Sequence, residues 1–167
     1  WELISLANRH PRVNILSPGC GVGGHCIAVD PWFIVHAGGY EARLIKSARE
    51  VNDHKAEWCI EKIKNAALKF ELQNGRKPKV ACMGLAFKPD IDDLRESPAL
   101  NITRRLIADG VDVVTVEPNI KAHKDFEIAD YKKAIEISDI IVFLVGHKEF
   151  KGLKIEKEVL DFCGICK

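Results

Sequence analysis

A histidine, a cysteine and an aspartate, His25, Cys26 and Asp30, fall within PGCGVGGHCIAVDPWF, residues 18–33, among four glycines and two prolines. Cysteine is the nucleophile among them, because a thiol adds readily to a carbonyl and leaves readily from an acyl group. Asp30 follows Cys26 at i+4. Should residues 26–35 coil, the two side chains share one face, a turn apart. Cys26 would then open a helix, where unpaired N–H groups and the dipole favour a thiolate. A second negative charge opposes that activation, so Asp30 is better suited to orient or deprotonate water. The glycines permit positive φ and close approach to the backbone, which predicts a ligand lying against Gly19, Gly21 and Gly23. Two plainer readings stand beside these. A free cysteine is commonly a small buried hydrophobe. Gly19, Gly21 and Gly24 also spell G-x-G-x-x-G, a dinucleotide fingerprint only between a buried strand and a helix. Residues 13–16 are a short run between prolines, so that context is missing.

A second stretch, GLAFKPDIDDLRESPAL at residues 84–100, follows the apolar run VACM. Lys88 and Arg95 are its cations. One glycine, not three, follows the strand, so a tightly packed dinucleotide pyrophosphate is not expected there. Lys88 beside backbone N–H groups suits the diphosphate of a sugar nucleotide. The acids Asp90, Asp92, Asp93 and Glu96 read as a charged surface loop. Glu117 ends the next strand, where dinucleotide folds often place an acid for ribose. His10 and Arg12 precede the glycine loop and, on their own, read as a solvated turn.

These groups need a scaffold. Residues 1–8 carry a helical period. Gly38 and Gly39 end the helix expected from Cys26. From Glu41 apolar residues recur at threes and fours without proline or glycine until Gly75, which predicts one helix of about thirty residues and about 45 Å. Such a helix joins two domains or packs on a partner subunit, and Trp58 and Phe70 on it read as packing. Beyond the hinge at residues 74–78, strands at 80–84, 111–116, 140–145 and 159–162 alternate with helices at 97–109 and 131–138. Ser97, Pro98 and Gly110 give the first of these helices a cap, a start and a stop. The expected fold class is therefore α/β: a Rossmann-like doubly wound parallel sheet, residues 76–167, behind a mostly helical region for interdomain linkage or dimerisation, residues 1–75. Ligand should lie at the carboxyl ends of the strands.

With 25 basic and 24 acidic side chains the chain offers no electrostatic footprint for nucleic acid or an anionic membrane. No apolar run reaches the roughly 18 residues of a membrane span. The 47% hydrophobic content suffices for a core. Six cysteines are too dispersed for a disulfide scaffold, which favours a reducing cytoplasm. Cys163 and Cys166 form C-x-x-C without a second pair, so no metal is assigned. The chain begins without methionine and reads as a fragment.

Together GVGGHCIAVDP and GLAFKPDIDDLRESPAL, in this order, resemble the UDP-glucose/GDP-mannose dehydrogenase family, and the His25 and Trp32-Phe33 flanks are most similar to its branch acting on UDP-N-acetyl-D-mannosamine. The resemblance implies an NAD-dependent oxidation of a sugar primary alcohol to the acid through a thiohemiacetal and thioester on Cys26, with Asp30 serving water. UDP-N-acetylglucosamine, UDP-glucose, or a non-catalytic UDP-sugar-binding module remain alternatives. It further implies substrate contacts from His10, Arg12, Gly19, Gly21, Gly23, Phe87 and Lys88, cofactor contact from Arg95, and a homodimer through the long helix. Lysine and asparagine residues used by the family lie upstream of Trp1, and only the second of its two nucleotide domains is matched here, so the isolated chain is expected to bind UDP-sugar weakly and NAD hardly at all. One departure is Cys163, where the family tends to place a basic substrate contact before the glycine.

Overall fold

The computed structural model describes residues 1–166 except Val13 and Leu16. The run at residues 13–16 therefore lies partly outside the described residues. Three helices come first: α1 (Glu2–Ala7), α2 (Asp30–Gly38) and α3 (Arg43–Asn74), the last two separated by a 3-10 turn over Gly39–Ala42. Helix α3 runs 32 residues, and Gly75 closes it in the left-handed conformation. Strands β1 (Lys79–Met83), β2 (Asp112–Val116), β3 (Ile140–Phe143) and β4 (Glu158–Asp161) alternate with α4 (Pro98–Ala108) and α5 (Tyr131–Ile137).

All strand pairs are parallel and the order is β2-β1-β3-β4. Chain order reverses between β1 and β3, so the crevice at their carboxyl ends is where such a sheet takes a ligand. β1 and β3 are apolar throughout their buried length because both faces are covered. One face carries α3 and α4, through Ala56, Cys59, Ile60, Ile63, Ile102 and Leu106. The other carries α5, with Ala134, Phe143 and Phe150. The second half of α3 is thus a layer of the sheet, while Leu44, Val51 and Leu72 leave apolar surface in solvent.

α4 begins as its sequence requires. The Ser97 hydroxyl accepts from the Leu100 amide, and Pro98 occupies the first turn, where an N–H would have no partner. Expectation and structure part at α2. It starts at Asp30, not at Cys26, and residues 26–29 form a turn whose Cys26 carbonyl accepts from the Asp30 amide at 2.8 Å. Cys26 therefore precedes the helix by a turn and does not open it. No described helix is long and apolar enough to cross a membrane.

Candidate functional site

The two sequence stretches interlock. The Gly24 amide donates to the Arg95 carbonyl at 3.1 Å, and the Val22 amide donates to Asn52 of α3 at 2.8 Å. A Cβ on Gly23 would collide with the Glu96 carbonyl and lie 2.8 Å from Pro98 Cδ and 2.9 Å from Phe87 Cβ. Gly24, at φ +94°, has the Phe87 ring where its Cβ would be. The second stretch therefore requires glycine at 23 and 24, a reason for their absent side chains that lies outside the loop itself. Gly19 has open space in the Cβ direction and remains approachable. Gly23→Ala is expected to lower stability by about 2 kcal/mol, since this contact cannot yield without moving backbone. Urea denaturation checks it, and a change under about 0.5 kcal/mol would contradict the interlock.

Gly84–Leu100 is fixed from beneath by a buried polar cluster. Glu117 Oε2 accepts from the Leu85 amide at 2.8 Å and the Ala86 amide at 2.9 Å, and Oε1 accepts from the Asn119 amide at 3.0 Å. His147 Nδ1 accepts from the Asp90 amide at 3.0 Å, which assigns the ring proton to Nε2, 3.0 Å from Glu117 Oε2. Burial works to raise the Glu117 pKa, but the hydrogen bonds from His147 and the Leu85 and Asn119 amides outweigh it and hold the group at about 2. Asp90 and Glu96 adopt positive φ, 62° and 46°. Asp90 is kept there by the hydrogen bond its backbone N–H donates to His147 and by its carboxylate, which accepts from the Lys148 amide at 2.9 Å. Asp90, His147 and Glu149 lie within reach of a common ion. Both imidazole nitrogens are already engaged, however, so this cluster is read as a turn lock.

Successive N–H groups just past β1 normally make an anion nest, and in dinucleotide folds a pyrophosphate fills it. Here Glu117 fills it. The sheet consequently does not fit NAD at its customary place, and Glu117 is not free to hold a ribose.

Beside the nest, at the β1, β3 and β4 ends, opens a cavity of about 610 Å³. Gly19, Gly21, Gly23, Phe87 and Lys88 line it, so five of the expected site residues meet in one place. Ile27 also lines it, whereas neighbouring Cys26 is exposed and outside the lining. Asp30 is exposed at the start of α2. His10 and Arg12 are exposed in the turn after α1, where the Arg12 amide donates to His10 Nδ1 at 3.2 Å, and neither reaches the cavity. Arg95 lies outside it too, gripped by Asp93 through Nε and a terminal nitrogen at 2.6–3.0 Å. That grip holds the Asp93 carboxyl down at about 2. A larger groove of about 910 Å³ runs between α2, α3 and α4, but its lining mixes Arg49 and Arg104 with Asp53, Glu57 and Glu96. Arg49 is committed to Asp53 at 3.1 Å and Arg104 to Asp125 at 2.7 Å, so both arginines of the groove are already paired.

Sequence reasoning missed Trp1, whose indole lies against Gly164, and Lys151, both of which line the smaller cavity. It also missed His147 and the plugging role of Glu117. Only Glu117, at a strand end, carried a local signal.

A parallel doubly wound sheet with a cavity where its strand order reverses, joined to a glycine loop bearing an exposed cysteine, has the architecture of the Rossmann-like nucleotide-binding folds. Residues 81–163 match the UDP binding domain of the UDP-glucose/GDP-mannose dehydrogenase family, and residues 1–54 match its central domain. The chain belongs to that family. It is 52% identical over 171 residues to a UDP-N-acetyl-D-mannosamine dehydrogenase of Campylobacter jejuni, covering 98% of this chain and 40% of that protein. It is 51% identical over 162 residues to an NDP-N-acetyl-D-galactosaminuronic acid dehydrogenase of Ralstonia solanacearum, covering 94% and 37%. Its fold matches the structure of a UDP-D-ManNAc dehydrogenase from Pyrococcus horikoshii with a TM-score of 0.81 at 32% identity, over 99% of this chain and 40% of that one. The chain thus spans about 40% of the length of the relatives it matches.

Proposed function

We propose that this chain is the substrate-nucleotide part of an NAD-dependent UDP-N-acetyl-D-mannosamine 6-dehydrogenase, carrying its nucleophile. The observation that supports this most is the meeting of Gly19, Gly21, Gly23, Phe87 and Lys88 on one cavity, with Cys26 exposed next to it. In this reading residues 76–167 hold the UDP-sugar and residues 1–75 supply the nucleophile loop and dimer helix. Gly19 and Gly21 shape the cavity wall, Gly23 keeps the loop docked, Phe87 and Lys88 meet the nucleotide, and His10 and Arg12 act from the arm after α1. NAD would accept the hydrides. Its own binding site is not built by this sheet, and Arg95 is the one contact proposed toward it. The Cys26 sulfur adds to the intermediate aldehyde, and the adduct, after losing a hydride and a proton, is a thioester. Asp30 takes a proton from water as the water attacks the thioester carbonyl, the C–S bond breaks, and the thiol is regenerated. Six free cysteines are consistent with a cytoplasmic setting.

The similar identities to mannosamine and galactosaminuronic enzymes favour one second reading, a galactosamine epimer as substrate. The test is NADH formation by the native gene product. UDP-N-acetyl-D-mannosamine is expected to exceed UDP-N-acetylgalactosamine, UDP-N-acetylglucosamine and UDP-glucose in kcat/KM by at least about tenfold. Preference for another sugar would overturn the substrate, and no turnover of any would leave a binding module.

A homodimer through α3 belongs to the same proposal. Trp58 is a poor probe of it, because its ring meets Phe162 of the same chain at 5.8 Å and Lys55 caps its face at 3.4 Å. Val51 is exposed and has no such role. Sedimentation is expected to give a dimer that Val51→Glu dissociates at micromolar concentration. A monomeric starting protein would make the exposed stripe of α3 an interdomain strut.

A further inference from the structure

Lys151 follows the 3-10 turn Lys148–Phe150 and lines the same cavity as Lys88. These two lysines are the charged side chains of its wall, and among the described residues no carboxylate lines it. Neither lysine has an ion-pair or hydrogen-bond partner for its ammonium group among the described residues, although Lys64, Lys79 and Lys157 all do. Two like charges held on one cleft without an acid raise its potential and concentrate anions there. The other anion locus of this sheet edge, the Leu85 and Ala86 amides, is closed by Glu117. Beyond β4, Cys163 presents a thiol where a basic group would have served. Burial, with the Asp161 charge adding to it, pushes that thiol up to about 12, so it is neutral. The cation on the β3–β4 side of the cavity is thus supplied by Lys151, in a different connection of the fold.

We propose that Lys151, together with Lys88, holds the diphosphate of the nucleotide sugar, an assignment that rests on the UDP-sugar reading above. Lys88 comes from the β1 connection and Lys151 from the β3–β4 connection, so the diphosphate is bound between two segments across the point where strand order reverses. The test compares UDP and uridine binding to the chain and its variants by ligand-observed NMR. Lys151→Ala is expected to weaken UDP by about tenfold, the usual effect of losing a charged hydrogen bond, and to leave uridine within about twofold. Lys151→Arg should restore UDP affinity. UDP bound by Lys151→Ala as tightly as by the unaltered chain would overturn the inference alone. Equal losses for UDP and uridine would also overturn it, since they mark a side chain that shapes the wall. If the unaltered chain binds no UDP, the nucleotide reading falls and takes this assignment with it.

Discussion

Cys26→Ala is expected to stop uronate formation by the native enzyme, with a loss on the order of 10⁴-fold, while UDP affinity stays within about twofold. Cys26 is exposed, and its side chain supports none of the contacts that fix the loop. Those run through the Gly24 and Val22 amides, so removing the thiol leaves the cavity wall intact. Cys26→Ser should be as inactive, because an alkoxide is a poor substitute for sulfur as nucleophile and leaving group. Cys20, in the same loop, is not a ready replacement. It is 4% exposed and its thiol donates to the Leu144 carbonyl at 3.6 Å. Contact with Cys59 and burial push its pKa well above the ordinary thiol value. Steady-state NADH formation checks the prediction, and normal turnover by Cys26→Ala would remove Cys26 from the chemistry.

Glu117→Ala is expected to cost about 3–5 kcal/mol, because it strips a buried charge from three backbone amides and the His147 ring together. The turn carrying Phe87 and Lys88 loses its anchor at the same time, so UDP binding should fall with stability. The unaltered protein carries the same dependence on pH. Glu117 titrates at about 2 when folded, below its ordinary 4.5, so its contribution is complete above about 4.5 and is lost as pH falls toward 2. At about 1.4 kcal/mol per unit this amounts to about 3 kcal/mol. Guanidinium titrations at pH 6 and pH 3 should show that decline, and Glu117→Gln should flatten it. An unchanged acid limb in Glu117→Gln would show that the carboxylate is not the linked group.

Much of the scaffold was legible because its signals are local. The apolar runs of β1 and β3 declare strands buried on both faces, and Ser97, Pro98 and Gly110 bracket α4. The start of α2 was not placed, although Pro31, a residue of first helical turns, is a local signal for a boundary at Asp30. What lies against the loop glycines could not be read locally. Gly23 and Gly24 face Phe87, Glu96 and Pro98, more than sixty residues away, and glycine spacing alone does not distinguish a ligand from a second segment of chain. The same holds for Lys151 and for the partners of Glu117, which meet only when β1, β2 and β3 are side by side.

The central claim, that Cys26 carries the sugar as a thioester, is tested most directly by Asp30→Asn in the native enzyme. With UDP-N-acetyl-D-mannosamine and NAD, slowed hydrolysis should let an acyl adduct accumulate. Intact mass followed by peptide mapping is predicted to find that adduct, with the mass of the oxidised UDP-sugar, on the peptide containing Cys26. An adduct on Cys20, or slow turnover with no covalent species at all, would contradict the account.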